Sequence, residues 1–325
     1  MLLYCAPMEG ITGYIYRNAL QEFFPGVDRY YTPFISAGPH RTFSTREMND
    51  VLPEHNSTIE LVPQLMTRNA EDFIWYANAL ADMGYKEVNF NLGCPSGTVV
   101  TKGKGSGFLS FPDELQLFLD EIFAKSPIPV SVKTRVGRKD EAEFDRLLEI
   151  YRRYPMAELI VHPRLTTDMY RNHPRMESFG KVLSDPPWKV GYNGDLFHVQ
   201  ECTDFIAAHP QIHSIMLGRG LIANPALAQT VKTGKPLDKP TLMAFYQRLR
   251  REYLDILPGE RTILFRMKEL FIYMECMFKD CDKIAKKMRK SNRVADFDDA
   301  IQRLFDECEL DLDGGYFQIG SQQHR

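Results

Sequence analysis

Cysteine is scarce in this 325-residue chain: Cys5, Cys94, Cys202, Cys276, Cys281 and Cys308, with no Cys-x-x-Cys pair among them. No histidine stands near them at zinc-site spacing, so neither a metal centre nor a disulfide framework is expected. No stretch approaches the roughly 20 apolar residues needed to span a bilayer, and the first residues lack a basic leader before a long apolar run. These absences lead us to expect a soluble, cytoplasmic protein without a membrane partner. No dinucleotide-binding glycine fingerprint is present, so any nicotinamide cofactor is expected to visit only transiently. Charge of one sign is not in excess either, the net charge being −3.

What is present is an ordinary globular composition, 44% hydrophobic and 26% charged. The length exceeds that at which one core usually keeps growing, which suggests a large domain and a smaller one. Eight short β-branched or apolar runs recur: 2–8, 29–34, 59–66, 87–93, 129–135, 158–164, 189–194 and 214–220. Helical patterns lie between several of them, at 69–83, 112–123, 141–154 and 198–209. This alternation is the sign of strand–helix–strand units, and eight repeats fit a (β/α)8 TIM barrel. A doubly wound open sheet would gather its chemistry at one crevice. Here nearly every run ends in polar or glycine-rich residues, Met8-Glu9, Gln64, Asn91, Lys133, His162, Asn193 and Gly218-Arg219, as the active face of a barrel requires.

The strand pattern stops after Gly234, and a Pro-bearing connector leads into helical patterns at 241–257, 260–277 and 297–305. We therefore expect a barrel over 1–236, a small helical domain over 241–313 and a loosely held tail over 314–325. From Arg261 to Arg293 ten Lys or Arg face four acids, a local excess of six positive charges in a chain that is acidic overall. Most such runs are solvated faces, and the whole-chain charge hides this clustering within one domain.

Within the barrel, Asn91-Leu92-Gly93-Cys94-Pro95 places a thiol just beyond a strand end, and the glycine-rich loop Lys102–Gly107 follows. Glycines there allow close approach to a ligand and movement as a lid. A lone cysteine is usually a small buried hydrophobe, but this position favours function. Lys133 is a cation near the end of an apolar strand and needs a partner: an anionic cofactor ring, or an acid such as Glu9. His162-Pro163-Arg164 closes the sixth run. Asn193-Gly194-Asp195 and Gly218-Arg219-Gly220 close the seventh and eighth, where barrels commonly bind phosphate.

With these motifs in this order, the chain resembles the tRNA-dihydrouridine synthase family over nearly its whole length. The Asn-x-Gly-Cys-Pro element carries the most specificity; Ala6-Pro7-Met8-Glu9-Gly10, Gln64, Val132-Lys133 and the three strand-end motifs support it. The resemblance implies FMN as bound cofactor and NADPH as transient reductant. It implies an FMN site formed by Pro7, Met8, Glu9, Gln64, Lys133, His162, Asn193, Gly194, Asp195, Gly218 and Arg219. Cys94 would be the general acid that protonates carbon 5 of a uracil while hydride reaches carbon 6; a thiol with an ordinary pKa near 8.5 is protonated at neutral pH yet can release its proton. Asn91 and Arg164 would hold the base, and Arg266, Lys268, Lys286, Lys287 and Lys290 would contact tRNA. A monomer is expected. Two other readings fit the residues less well: an FMN barrel enzyme acting on a small pyrimidine, which has no need of a basic helical surface, and a non-catalytic RNA-binding protein.

Overall fold

The computed structural model describes residues 1–316; most of the tail expected from Gly314, namely 317–325, lies outside the described residues. Ten strands form one sheet: β1 (Leu2–Cys5), β2 (Arg29–Tyr31), β3 (Ile35–Ser36), β4 (Leu61–Val62), β5 (Gln64–Met66), β6 (Val88–Leu92), β7 (Val130–Gly137), β8 (Glu158–Leu165), β9 (Lys189–Tyr192) and β10 (Ser214–Leu217). Every one of the eight runs contains a strand. Pro63 splits the third run into β4 and β5, because proline has no N–H to give the ladder. The split run closes the ring. β4 pairs with β2 and β5 with β6, all parallel, while the Leu2 amide reaches the His213 carbonyl at 3.0 Å where β1 meets β10. The architecture is a (β/α)8 TIM barrel, with β3 added beside β5.

Side-chain alternation explains which residues line the lumen. On β6, Val88, Phe90 and Leu92 face the helices: Phe90 stacks on Phe118 at 4.7 Å and meets Phe73 edge-on at 5.6 Å. Asn89 and Asn91 therefore turn inward. The register Asn91↔Lys133↔Ile160 carries the same face across β7 and β8, and Ile160 packs with Tyr4, Ala6, Tyr31, Val62 and Met216 in one apolar lumen layer. Below that layer, Tyr4 Oη and Ser214 Oγ donate to Glu158 at 3.0 and 2.5 Å, and burial pushes the Glu158 carboxyl above its ordinary pKa.

A cavity of about 480 Å³ opens at the N-terminal strand ends, lined by Arg29, Asn56, Glu60, Lys86 and Glu87 among others. Its lining holds no thiol or histidine, and Arg29 is already paired with Glu60 and Glu87, so it does not carry the chemistry anticipated for this chain.

The chain divides into two compact units. One comprises Met1–Pro7, Asp28–Asp195 and His209–Met216 and holds most of the barrel; the other gathers Met8–Val27, Leu196–Ala208 and the residues from Leu217 onward, so several short segments join the C-terminal helices. Within the second unit, the helices Lys239–Ile256, Glu260–Met274, Asp282–Lys290 and Val294–Glu307 follow the connector. No described helix is long and apolar enough to cross a membrane.

Candidate active site

At the C-terminal strand ends of the first unit a chain of neutral amides fills the lumen wall. Gln64 Nε2 donates to Asn89 Oδ1 at 2.8 Å, Asn89 Nδ2 to Ser131 Oγ at 2.9 Å, and Asn91 Nδ2 to Gln64 Oε1 at 2.7 Å. All four residues are buried. Buried amides are tolerated when each finds a partner, and such a network holds its members in one orientation.

Lys133 breaks this neutrality. Among the described residues no carboxylate bonds or ion-pairs with it, Glu9 being exposed in the other unit. Burial, reinforced by the Arg135 charge and opposed by Cys94, lowers its pKa from 10.5 to about 7. The side chain nevertheless keeps intermediate exposure, as a group lining an open pocket does. A cation held in this way stores an unfavourable energy that an anionic ligand would relieve.

Cys94 follows β6 with Gly93 between them. A Cβ built on the preceding Gly93 would lie 3.9 Å from Lys133 Nζ, and Cys94 is close enough to act electrostatically on both Lys133 and Arg135. Asn91, expected at the base, instead spends its side chain on the protein: Oδ1 accepts from the Gly93 and Cys94 amides at 3.0 and 2.9 Å. The helical turn Gly97–Val100 precedes the glycine-rich loop, and the 3-10 segment Gly105–Ser110 begins within it. Gly103 and Gly105 adopt positive φ, 63° and 55°, which glycine does without strain.

The end of β8 brings His162 and Arg164 together. Arg164 Nη1 donates to His162 Nε2 at 2.9 Å and to Asp195 Oδ1 at 2.9 Å. An arginine can only donate, so Nε2 is the acceptor in this contact. Arg164 Nε also reaches the Asn172 carbonyl at 2.8 Å, so this arginine, expected at the substrate, is committed to protein partners. Asn193 Nδ2 donates to the Met216 carbonyl at 2.7 Å. Gly194 is required by space, since a Cβ there would run into the Tyr192 ring.

Sequence reasoning missed two neighbours here. Arg135, 1% exposed, donates to the Gly93 carbonyl at 2.9 Å and the Leu165 carbonyl at 2.8 Å. Tyr170, 43% exposed, lies 5.4 Å from the Arg135 guanidinium and 6.0 Å from the His162 ring. The Val-Lys-Thr-Arg alternation in β7, which places residues 133 and 135 on one face, was the available signal for the first.

The remaining expected residues occupy these places. Pro7 and Met8 are half-buried, and the Met8 amide donates to Thr12 Oγ1 at 2.8 Å. Gly218 precedes the short helix Arg219–Ala223, and the Arg219 guanidinium lies 5.2 Å from the Phe197 ring and 5.6 Å from that of Tyr316. Arg266 pairs with Glu269 at 2.8 Å, and Lys268 Nζ donates to the Arg289 and Ser291 carbonyls, closing the end of helix Asp282–Lys290. On that helix Ile284, Ala285 and Met288 are buried while Lys286, Lys287 and Lys290 are exposed.

Comparison with known proteins gives a consistent picture. A "Probable tRNA-dihydrouridine synthase" of Staphylococcus epidermidis is 30% identical over 226 residues, 68% of either chain. The "Probable tRNA-dihydrouridine synthase 1" of Synechocystis is 26% identical, covering 94% of this chain and 87% of the relative. The "tRNA-dihydrouridine(16) synthase" of Shewanella oneidensis, also 26% identical, covers 89% and 93%. Among solved structures, "Crystal structure of TcOYE with pHBA" superposes with a TM-score of 0.51 at 12% identity over 78% of this chain and 94% of that one; it shares the barrel fold. The family described as "Dihydrouridine synthase (Dus)" matches residues 4–309, and the chain belongs to this family of oxidoreductases.

Proposed function

We propose that the protein is an FMN-dependent tRNA-dihydrouridine synthase in which Cys94 donates the proton. The observation that carries the reading is Lys133. A partly buried lysine with no carboxylate partner among the described residues, beside the Cys94 turn and the amide wall, suits a ring that becomes negatively charged on reduction. Gln64, His162 and Asn193, each oriented by a neighbour, are its further contacts in the first unit. Bound FMN, reduced by NADPH, would supply hydride to carbon 6 of the uracil.

The chain's own task is then the second hydrogen. Cys94 Sγ gives its proton to carbon 5 and is left as a thiolate, which solvent reprotonates; uridine plus hydride plus proton balances dihydrouridine. Asn91 and Arg164, being committed to protein partners, order the site. The target base must leave its stack, at a cost of a few kcal/mol that is least in unpaired loops. The exposed Lys286, Lys287 and Lys290 suit phosphate contact with folded RNA.

Incubation of the cofactor-free protein with excess FMN, followed by gel filtration, tests the reading. Co-elution of yellow flavin near one per chain is expected for the wild type and reduced occupancy for Lys133→Glu. A colourless protein peak overturns it.

A further inference from the structure

Both peptide units flanking the Cys94 Cα are fixed by hydrogen bonds. On the N-terminal side, Asn91 Oδ1 accepts from the Cys94 amide at 2.9 Å, and Arg135 Nε donates to the Gly93 carbonyl of the same peptide at 2.9 Å. On the C-terminal side, the Cys94 carbonyl accepts twice from Ser106, from Oγ at 2.8 Å and from the backbone amide at 3.1 Å. Ser106 is fully buried although it sits in a glycine-rich loop. Its approach depends on Gly105: at φ 55° a Cβ there would stand 2.9 Å from the Cys94 carbonyl oxygen and 3.1 Å from Cys94 Cβ. Arg135 ties the assembly to the next strand end by donating to the Leu165 carbonyl at 2.8 Å. With its φ and ψ held from both sides, Cys94 keeps rotation about χ1 as its main freedom.

We propose that Ser106 and Arg135 are positioning residues that clamp the Cys94 backbone so that the thiol proton is aimed at the substrate carbon. In this arrangement the loop that follows Cys94 carries the support, and Gly105 allows its close approach. Proton transfer between a thiol and carbon is sensitive to direction, and a misplacement near 1 Å can cost on the order of 100-fold in rate. A bond to a backbone carbonyl twelve residues away is a low-cost way to prevent it. The inference rests on the reading of Cys94 as proton donor, and the test separates the two.

Four FMN-loaded proteins are compared: wild type, Ser106→Ala, Ser106→Thr and Cys94→Ala. The alanine variant keeps the Ser106 amide bond to Cys94 and loses only the hydroxyl bond. Each is assayed for flavin reduction by NADPH, observed as bleaching, and for dihydrouridine formation on tRNA with kcat and KM resolved. The clamp predicts that Ser106→Ala lowers kcat about 10-fold with KM for tRNA and the bleaching rate unchanged, and that Ser106→Thr restores turnover. Full turnover by Ser106→Ala beside an inactive Cys94→Ala overturns the clamp and leaves the proton donor standing. Equal losses in bleaching and turnover give Ser106 a purely structural role and also overturn it. Full turnover by Cys94→Ala removes the donor and the clamp with it. If Ser106→Ala does not fold, Arg135→Lys, which keeps the charge but cannot span both carbonyls, carries the same comparison with the same outcomes.

Discussion

Arg164 and Asp195, 31 residues apart, form a forked ion pair at the ends of β8 and β9, with the arginine wholly buried and the aspartate 19% exposed. The pair orients His162 through a second guanidinium bond, so the polar rim of the barrel is built around a charge pair instead of isolated side chains. Removing one partner strands the other charge in a dehydrated place. Asp195→Asn is expected to lower stability by about 3 kcal/mol, the low end for a buried pair because Asp195 keeps some surface. Urea unfolding of the cofactor-free protein measures this. A change below about 0.5 kcal/mol would show that Arg164 finds other relief.

Cys94→Ala is predicted to keep bound FMN and normal flavin bleaching by NADPH while losing about 10²–10⁴-fold in dihydrouridine formation, the usual worth of a positioned general acid. Single-turnover measurement with pre-reduced enzyme isolates that step.

Lys133 should destabilise the cofactor-free protein, because burial opposes its charged form. Its folded-state pKa near 7 lies below the unfolded 10.5, so between those pH values the unfolded chain holds more protons. The cofactor-free protein should therefore gain stability as pH rises from 7 towards 10.5. Lys133→Met should be more stable than wild type at pH 7, with the difference shrinking at pH 9. The same variant should bind a flavin that is harder to reduce, by about 30 mV for an effect near 1.4 kcal/mol. Urea titrations at the two pH values and a spectroscopic redox titration check both. Equal stability at pH 7 and 9 in both proteins contradicts the assignment.

Reversing the charge of Lys286, Lys287 and Lys290 together should weaken tRNA binding and flatten its dependence on salt, each lost phosphate contact removing about 0.7–0.9 from the slope of log K against log salt. All three are exposed, so the fold should be indifferent. Filter binding across a salt series reads the slope; an unchanged slope places the RNA elsewhere.

The barrel was legible because its strands are apolar runs bounded by glycine and proline, and because their polar ends, Gln64, Asn91, Lys133 and His162, share one rim. The helix Asp282–Lys290 was not anticipated as a helix. Only Ile284, Ala285 and Met288 mark its buried side, too few to show a period through the lysines. The pairing of Arg164 with Asp195 was not legible, because a contact over 31 residues leaves no local trace. Ser106 was invisible for a related reason: a serine between glycines reads as a turn residue until the fold brings it to the Cys94 carbonyl. Backbone-directed bonds of this kind depend on how the fold places donor and acceptor, and residue type alone does not announce them.

The central claim is tested most directly on an unmodified tRNA transcript incubated with FMN-loaded protein and NADPH, with modified nucleosides mapped by mass spectrometry. A two-hydrogen mass gain is expected at a defined uridine, dependent on NADPH and lost with Cys94→Ala. Oxidation of NADPH without any gain on tRNA, or equal conversion of free uridine, would contradict it.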